Sequence, residues 1–233
     1  DRRALTVATK FMPVAPAESI VARQAAGSRR RLDVEALDLY YVHWPNPFVS
    51  QRRVMQSLRP LLESGAVRRV GVSNYSLRQW IDAERALRAP VIANQVSFSL
   101  VDPRPALDLV PHAAALGRLV VAYSPLGQGL LAGAEGSIPA GGLRARSRGF
   151  REANRRRAAP LLNAVREVAS GHGATPAQVA LAWVIRHPNT VAIPGARTVV
   201  QLEENAAAAD LELSDAEFDR LTAESEAFAA IRR

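Results

Sequence analysis

Several short stretches of this 233-residue chain end in residues that can do chemistry. Of its 30 basic residues, 29 are arginine and one, Lys10, is lysine, so the single lysine calls for a chemical reason. Lys10 closes one apolar run, and His43 closes a second, followed by Trp44 and Pro45. Ser73 and Asn74 close a third run, Asn94 and Gln95 lie in a fourth, Tyr123 and Ser124 end a fifth, and Gly195 and Arg197 follow a sixth. An ammonium and an imidazole hold or move charge at a reacting atom. Amide and hydroxyl groups offer the donors and acceptors that orient a polar ligand. Taken singly, a histidine in such a place is ordinarily a hydrogen-bonded structural residue and a lysine is simply solvated. A lysine, a histidine, an amide pair and an aromatic at successive strand ends together point to an active site.

Those ends need regular elements to position them. Short runs rich in β-branched residues alternate with longer amphipathic stretches, the pattern of repeated βα units around a parallel sheet. It predicts six strands, at residues 5–10, 37–43, 67–73, 91–96, 119–123 and 190–194. Between them apolar residues recur three and four apart, as at Leu58, Leu61 and Leu62 and again from Val179 to Ile185, which marks helices covering the sheet. Helix starts carry capping signals at Ser76, at Thr175-Pro176, and at Ser214 with Glu217 three residues on. A last helix is predicted from Ser214 to Ile231. Alternation places Leu37, Leu39, Tyr41 and His43 on one strand face, so His43 points inward if the leucines do. In a parallel barrel the loops at the C-terminal strand ends converge on one mouth, where this constellation would meet. The segment 124–157, rich in Gly, Arg and Ser, is too long for an ordinary βα connection, and loops of that length are functional lids or disordered. No linker divides the chain, so a single domain over residues 1–233 is expected.

Composition narrows the function classes. The chain has no cysteine, and His43, His112, His172 and His187 are scattered away from metal-ligand spacing, so no metal site is expected. No apolar run reaches about 18 residues and the first residues form no signal peptide, so a soluble, cytoplasmic protein without a membrane partner is expected. The formal charge of +8 is spread along the chain apart from a cluster between Arg144 and Arg157. No aromatic interleaving accompanies that cluster, which argues against nucleic acid as a partner. Oligomeric state is not legible.

The motifs Val7-Ala8-Thr9-Lys10, Asp38-Leu39-Tyr40-Tyr41-Val42-His43-Trp44-Pro45, Gly71-Val72-Ser73-Asn74-Tyr75 and Tyr123-Ser124-Pro125-Leu126 occur in that order. Ile193-Pro194-Gly195-Ala196-Arg197 follows, with Glu204-Asn205 beyond it. Together they closely resemble the aldo/keto reductases of bacterial NADPH-dependent type. The resemblance implies a (β/α)8 TIM barrel, incomplete at the N-terminus with about six of eight strands present. It implies an oxidoreductase that reduces an aldehyde or ketone to an alcohol by hydride transfer from NADPH. By similarity Lys10 and His43 are the lysine and histidine of the family's catalytic tetrad. There the lysine, paired with an aspartate, lowers the pKa of a tyrosine that protonates the carbonyl oxygen, and the histidine orients the substrate. Ser73, Asn74 and Gln95 would hold the nicotinamide carboxamide, and Tyr123 would stack on the ring. Ser124, Leu126, Gln128 and Gly129 would line the pyrophosphate, with the Gly- and Arg-rich stretch beyond folding over the cofactor. Arg197 would clamp the adenosine 2′-phosphate. Gln201, Glu204 and Asn205 would approach that phosphate or the adenine edge. Trp44, with Phe11 and Met12, would form an apolar wall against a small-molecule carbonyl substrate.

The chain also departs from the family pattern. Gly195 and Ala196 stand where many members carry a lysine and a serine. The stretch from Gly127 to Gly133 fails as a dinucleotide fingerprint, its third glycine one place late. The family's aspartate and tyrosine lie in a segment upstream of Val7, and Tyr40, Tyr41, Tyr75 and Tyr123 do not match the tyrosine's position. Residues before Asp1 are therefore expected to complete the barrel and the tetrad. The runner-up reading is an NADPH-binding regulatory subunit similar to the potassium-channel β subunits, with little or no turnover. A hydrolase is weak, because the motif around Ser73 lacks the closing glycine of a nucleophile elbow.

Overall fold

A computed structural model of the chain describes residues 5–132 and 152–231, the side chains of 152–155 and of 231 excepted. The stretch expected to fold over a cofactor beyond Ala132, and most of the arginine cluster, lie outside the described residues. The described strands are β1 (Ala8–Phe11), β2 (Leu39–Val42), β3 (Val70–Ser73), β4 (Val91–Ser97), β5 (Leu119–Tyr123) and β6 (Thr190–Ile193). The helices are α1 (Glu18–Leu32), α2 (Gln51–Gln56), α3 (Arg59–Glu63), α4 (Leu77–Leu87), α5 (Leu109–Leu116), α6 (Glu152–Gly171), α7 (Pro176–Ile185), α8 (Val199–Ala207) and α9 (Asp215–Ile231). Strand order in the sheet is chain order, the architecture of six consecutive βα units of the expected barrel type. The backbone clusters into two compact units, one of residues 1–96 with 112–120, the other of 97–111 with 121–233.

In the first unit β1 to β4 run parallel. The register sets Lys10 beside Tyr41, Tyr41 beside Gly71, and Gly71 beside Ala93. Every residue of β2 and β3 is buried, as in a parallel sheet covered on both faces. The described strands are shorter than several of the sequence runs: the run 37–43 pairs continuously only over Leu39–Val42, with a single bridge from Leu37 to Val67 ahead of it. Phe11 is 1% exposed and its ring lies 5.2 Å from that of Tyr40. It belongs to the core, because alternation sends it to the face opposite Lys10, and it offers almost no exposed surface to a substrate wall. Trp80 of α4, fully buried, donates its indole N–H to the Val91 carbonyl at 2.9 Å and so holds α4 against β4.

The second unit is organised around α7, whose residues Val179 to Val184 are all buried. Trp183 packs edge-on to Phe98 at 5.5 Å and to His187 at 4.5 Å, and its indole N–H donates to Thr222 Oγ1 of α9 at 3.0 Å. The capping signals are realised. Ser76 with Gln79 and Thr175 with Gln178 form full capping boxes. Ser214 and Glu217 exchange the same pair of bonds, at 3.3 Å and 2.8 Å. Among the described residues no helix is long and apolar enough to cross a membrane.

Candidate functional site

The strand ends of the first unit bring Lys10 and His43 to the same face. Lys10 is paired in register with Tyr41, and His43 lies two residues beyond Tyr41, so both side chains leave the sheet in one direction. The His43 N–H donates to the Phe11 carbonyl at 3.1 Å, extending the β1–β2 ladder and fixing where the imidazole starts. The Lys10 ammonium stands 5.8 Å from the centre of the Tyr41 ring. Desolvation, and then the Lys10 charge, hold the His43 pKa below the ordinary histidine value, so the imidazole is neutral at neutral pH. Trp44 is half-buried, its ring 4.9 Å from that of His43. Beyond it residues 45–51, with Tyr75 and Gln79, line a cleft of about 310 Å³. Met12 is exposed.

Ser73, Asn74 and Gln95 form a bonded group two strands away in the same unit. Ser73 Oγ donates to the Gln95 carbonyl at 2.9 Å, the Asn74 N–H donates to the same carbonyl at 2.9 Å, and Asn74 Nδ2 donates to Ser73 Oγ at 3.2 Å. None of these bonds uses the Gln95 side-chain amide, which keeps a donor and an acceptor for a planar group such as a carboxamide. Asn74 has a φ of 61°, in the left-handed region. Asn94, whose neighbouring amide suggests a place at the same rim, points the other way: it is fully buried and bonded to the backbone of Tyr75.

In the second unit Tyr123 is half-buried at the end of β5 and is followed by a turn with positive φ at Ser124, Gly127, Gln128 and Gly129. Gly127 needs its hydrogen: a Cβ there would lie 2.7 Å from Val101 Cγ2. The turn is held by its own backbone: the Gly127 N–H donates to the Ser124 carbonyl and the Gly129 N–H to the Leu126 carbonyl, both at 2.9 Å. Leu126 lies within this turn, and Gly195 leads into α8 with open space where a side chain would be. Thr198 caps α8 through a bond from Gln201 N–H at 3.2 Å, while Gln201 Oε1 accepts from the Arg197 N–H at 2.8 Å. Gln201 thus fixes the backbone that carries Arg197. Arg197 and Glu204 are exposed and Asn205 is half-buried on the helix that follows. The positive end of α8 and the guanidinium together suit a phosphate.

The chain's four tyrosines all hold their protons more tightly than a free phenol, burial being the first cause in each. Tyr41 is pushed up to about 12, and Tyr123 is raised further by the Asp102 carboxylate, against the opposing Arg104 charge. None is prepared to give up a proton near neutral pH. Two supporting residues escape a reading by strand ends alone. Asp38 accepts from the Val7 N–H at 2.9 Å and from Arg68 at 3.0 Å, tying the start of β1 to β2 and so setting the height of Lys10. Asn46 donates to the Pro13 carbonyl and accepts from the N–H groups of Phe48 and Val49 at 2.7 Å and 3.0 Å, which joins the exits of β1 and β2.

Comparison with known proteins identifies the family of the chain. The family model for the Aldo/keto reductase family matches residues 1–226. An uncharacterized oxidoreductase of Mycobacterium tuberculosis is 48% identical over 229 residues, covering 98% of this chain and 71% of that protein. Methylglyoxal reductase YeaE of Escherichia coli is 35% identical over 199 residues, covering 83% of this chain and 60% of its own length. The crystal structure of an aldo-keto reductase from Klebsiella pneumoniae in complex with NADPH superposes with a TM-score of 0.74 at 27% identity, over 94% of this chain and 69% of that one.

Proposed function

The chain belongs to the aldo/keto reductase family, and from that premise we propose that it takes part in NADPH-dependent reduction of an aldehyde or ketone to an alcohol. When bound, NADPH would supply hydride to the carbonyl carbon, and the reaction is completed by a proton on the oxygen. The observation that carries the reading is the first unit's rim. The one lysine and a neutral histidine share a strand face there, beside a bonded Ser73–Asn74–Gln95 group whose open amide suits a nicotinamide carboxamide.

Lys10 places a positive charge on the face where negative charge develops during reduction, and His43 offers an uncharged N–H to orient the carbonyl oxygen. Trp44 lines the apolar approach to it. None of the four phenols in the chain is suited to donate the proton, so that role is assigned to none of them. In the second unit, by family resemblance, Tyr123 would stack on the nicotinamide, and Ser124, Leu126, Gln128 and Gly129 would take the pyrophosphate. Gly195 and Arg197, with Gln201, Glu204 and Asn205, would take the adenosine end. The NADPH complex of the Klebsiella pneumoniae relative supports this choice of cofactor. A small-molecule carbonyl partner and a cytoplasmic location belong to the same reading.

The test pairs two measurements on the protein that carries this chain: quenching of protein fluorescence by NADPH, and loss of NADPH absorbance with a reactive aldehyde. Binding with turnover supports the proposal. Binding without turnover favours a regulatory, cofactor-sensing role, and absence of binding removes both.

A further inference from the structure

We propose that Asn94, buried behind the rim, is a positioning residue for the Ser73–Asn74 edge and thereby for the nicotinamide end of the cofactor; this rests on the reading of that edge as a carboxamide cradle. The register pairs Val72 with Asn94 and Ser73 with Gln95, after which β3 ends and the chain turns towards α4. The Asn74 N–H still reaches the Gln95 carbonyl at 2.9 Å, the last backbone bond of the ladder. One residue further, Tyr75 has no strand opposite it. Instead its N–H donates to Asn94 Oδ1 at 3.4 Å and its carbonyl accepts from Asn94 Nδ2 at 2.8 Å. A side-chain amide therefore stands in for a neighbouring strand and satisfies both backbone groups of Tyr75.

Burial and backbone geometry say why this matters. Asn94 is 0% exposed and Tyr75 2%, so no water can take over either bond without rearrangement. Between the ladder and this clamp lies Asn74 at a φ of 61°, the left-handed conformation that asparagine adopts more readily than most residues with a side chain. The four residues from Ser73 to Ser76 are pinned in turn by the Gln95 carbonyl, by the same carbonyl again, by Asn94, and by the capping box with Gln79. Asn94 is the link on the buried side. Without it Tyr75 loses two partners, the left-handed turn relaxes, and the Ser73 hydroxyl and Asn74 amide leave the Gln95 edge. An aspartate could accept from the N–H but not donate to the carbonyl when ionised, and an apolar residue could do neither, so an amide is the group that fits.

The experiment compares wild type, Asn94→Ala, the milder Asn94→Ser, and Val54→Ala, which creates a core defect in α2 of the same unit. Each is titrated with NADPH and with 2′,5′-ADP, which shares the adenosine end and lacks the nicotinamide. Loosening the edge should raise the Kd for NADPH by roughly 10-fold in the Asn94 variants and leave that for 2′,5′-ADP unchanged. Val54→Ala should alter neither. Amide hydrogen exchange should show protection lost at Asn74 and Tyr75 in the Asn94 variants while α4 keeps its own. Equal weakening of both ligands, unchanged NADPH affinity, the same loss in Val54→Ala, or unchanged exchange at Tyr75 would each overturn the proposal. Failure of the wild type to bind NADPH would overturn the cofactor reading itself, and the proposal with it.

Discussion

Gly71→Ala should destabilise the first unit through a single contact that the register makes unavoidable. Gly71 sits in β3 directly beside Tyr41 in β2, and the Tyr41 ring, 2% exposed, lies across the space a side chain would occupy. A Cβ at this position would be 2.5 Å from Tyr41 Cε1, 2.7 Å from Cδ1 and 3.1 Å from Cζ. Carbon atoms rest at roughly 3.5–4.0 Å, so the ring or the strand must shift by about 1 Å. Overpacking of this kind costs about 1–3 kcal/mol, and the lower chain entropy of alanine in the unfolded state offsets about 0.4–1 kcal/mol of it, leaving a net loss of about 1–2 kcal/mol. With a urea dependence of about 2–3 kcal/mol per molar, the unfolding midpoint should fall by roughly 0.5 M at unchanged slope. Urea titration followed by circular dichroism measures it. The decisive control is the Tyr41→Ala background, where the ring is gone and the same substitution should be neutral or stabilising. An equal loss in both backgrounds, or none in the wild type, would refute the argument that the Tyr41 ring occupies that space.

Lys10→Met should lower aldehyde turnover by roughly 10²-fold or more while NADPH binding persists; unchanged turnover would remove Lys10 from the mechanism. NMR titration of the His43 ring should give a pKa below the ordinary value, and Lys10→Gln should raise it, because removing the ammonium removes one of the two causes of the shift. No movement would mean that the cation does not face the ring. Arg197→Ala should weaken NADPH by about 10-fold and NADH much less, since only the former carries the phosphate that a guanidinium fork grips; equal weakening would place Arg197 elsewhere. His187 lies among the rings of Phe98, Trp183 and Phe218, where burial lowers its pKa from 6.5. The unfolded chain then takes up a proton that the folded chain resists, so stability is full above that pH and declines as pH falls towards the lowered value. Urea midpoints should drop as the pH is lowered through 6.5 and should flatten in His187→Phe; an identical slope in the variant would assign the effect to another group.

What could be read from the sequence was local, and what could not was lateral. Ser76 with Gln79, Thr175 with Gln178 and Ser214 with Glu217 are legible because a capping box closes within three residues. The strand cores are legible because β-branched runs need no partner to be recognised, and Lys10 because composition isolates it. The jobs of neighbouring residues are not legible in the same way. Asn94 and Gln95 are adjacent amides, yet one ties down a buried turn and the other borders the candidate cradle, and only their pairing with Val72 and Ser73 separates them. Phe11 and Trp44 look alike as apolar neighbours of Lys10 and His43, yet Phe11 packs against Tyr40 in the core and Trp44 lies beside His43. Tyr41 and Gly71 fit each other across thirty residues of chain, which no local pattern announces. A parallel sheet buries both faces of β2 and β3, so hydrophobic periodicity cannot say which face holds the chemistry. The face is set by the step from one strand to the next: Lys10 beside Tyr41, Tyr41 beside Gly71, and His43 one repeat above. A motif therefore names the residues that reach the rim, and the strand register decides which of them meet a ligand and which hold those in place.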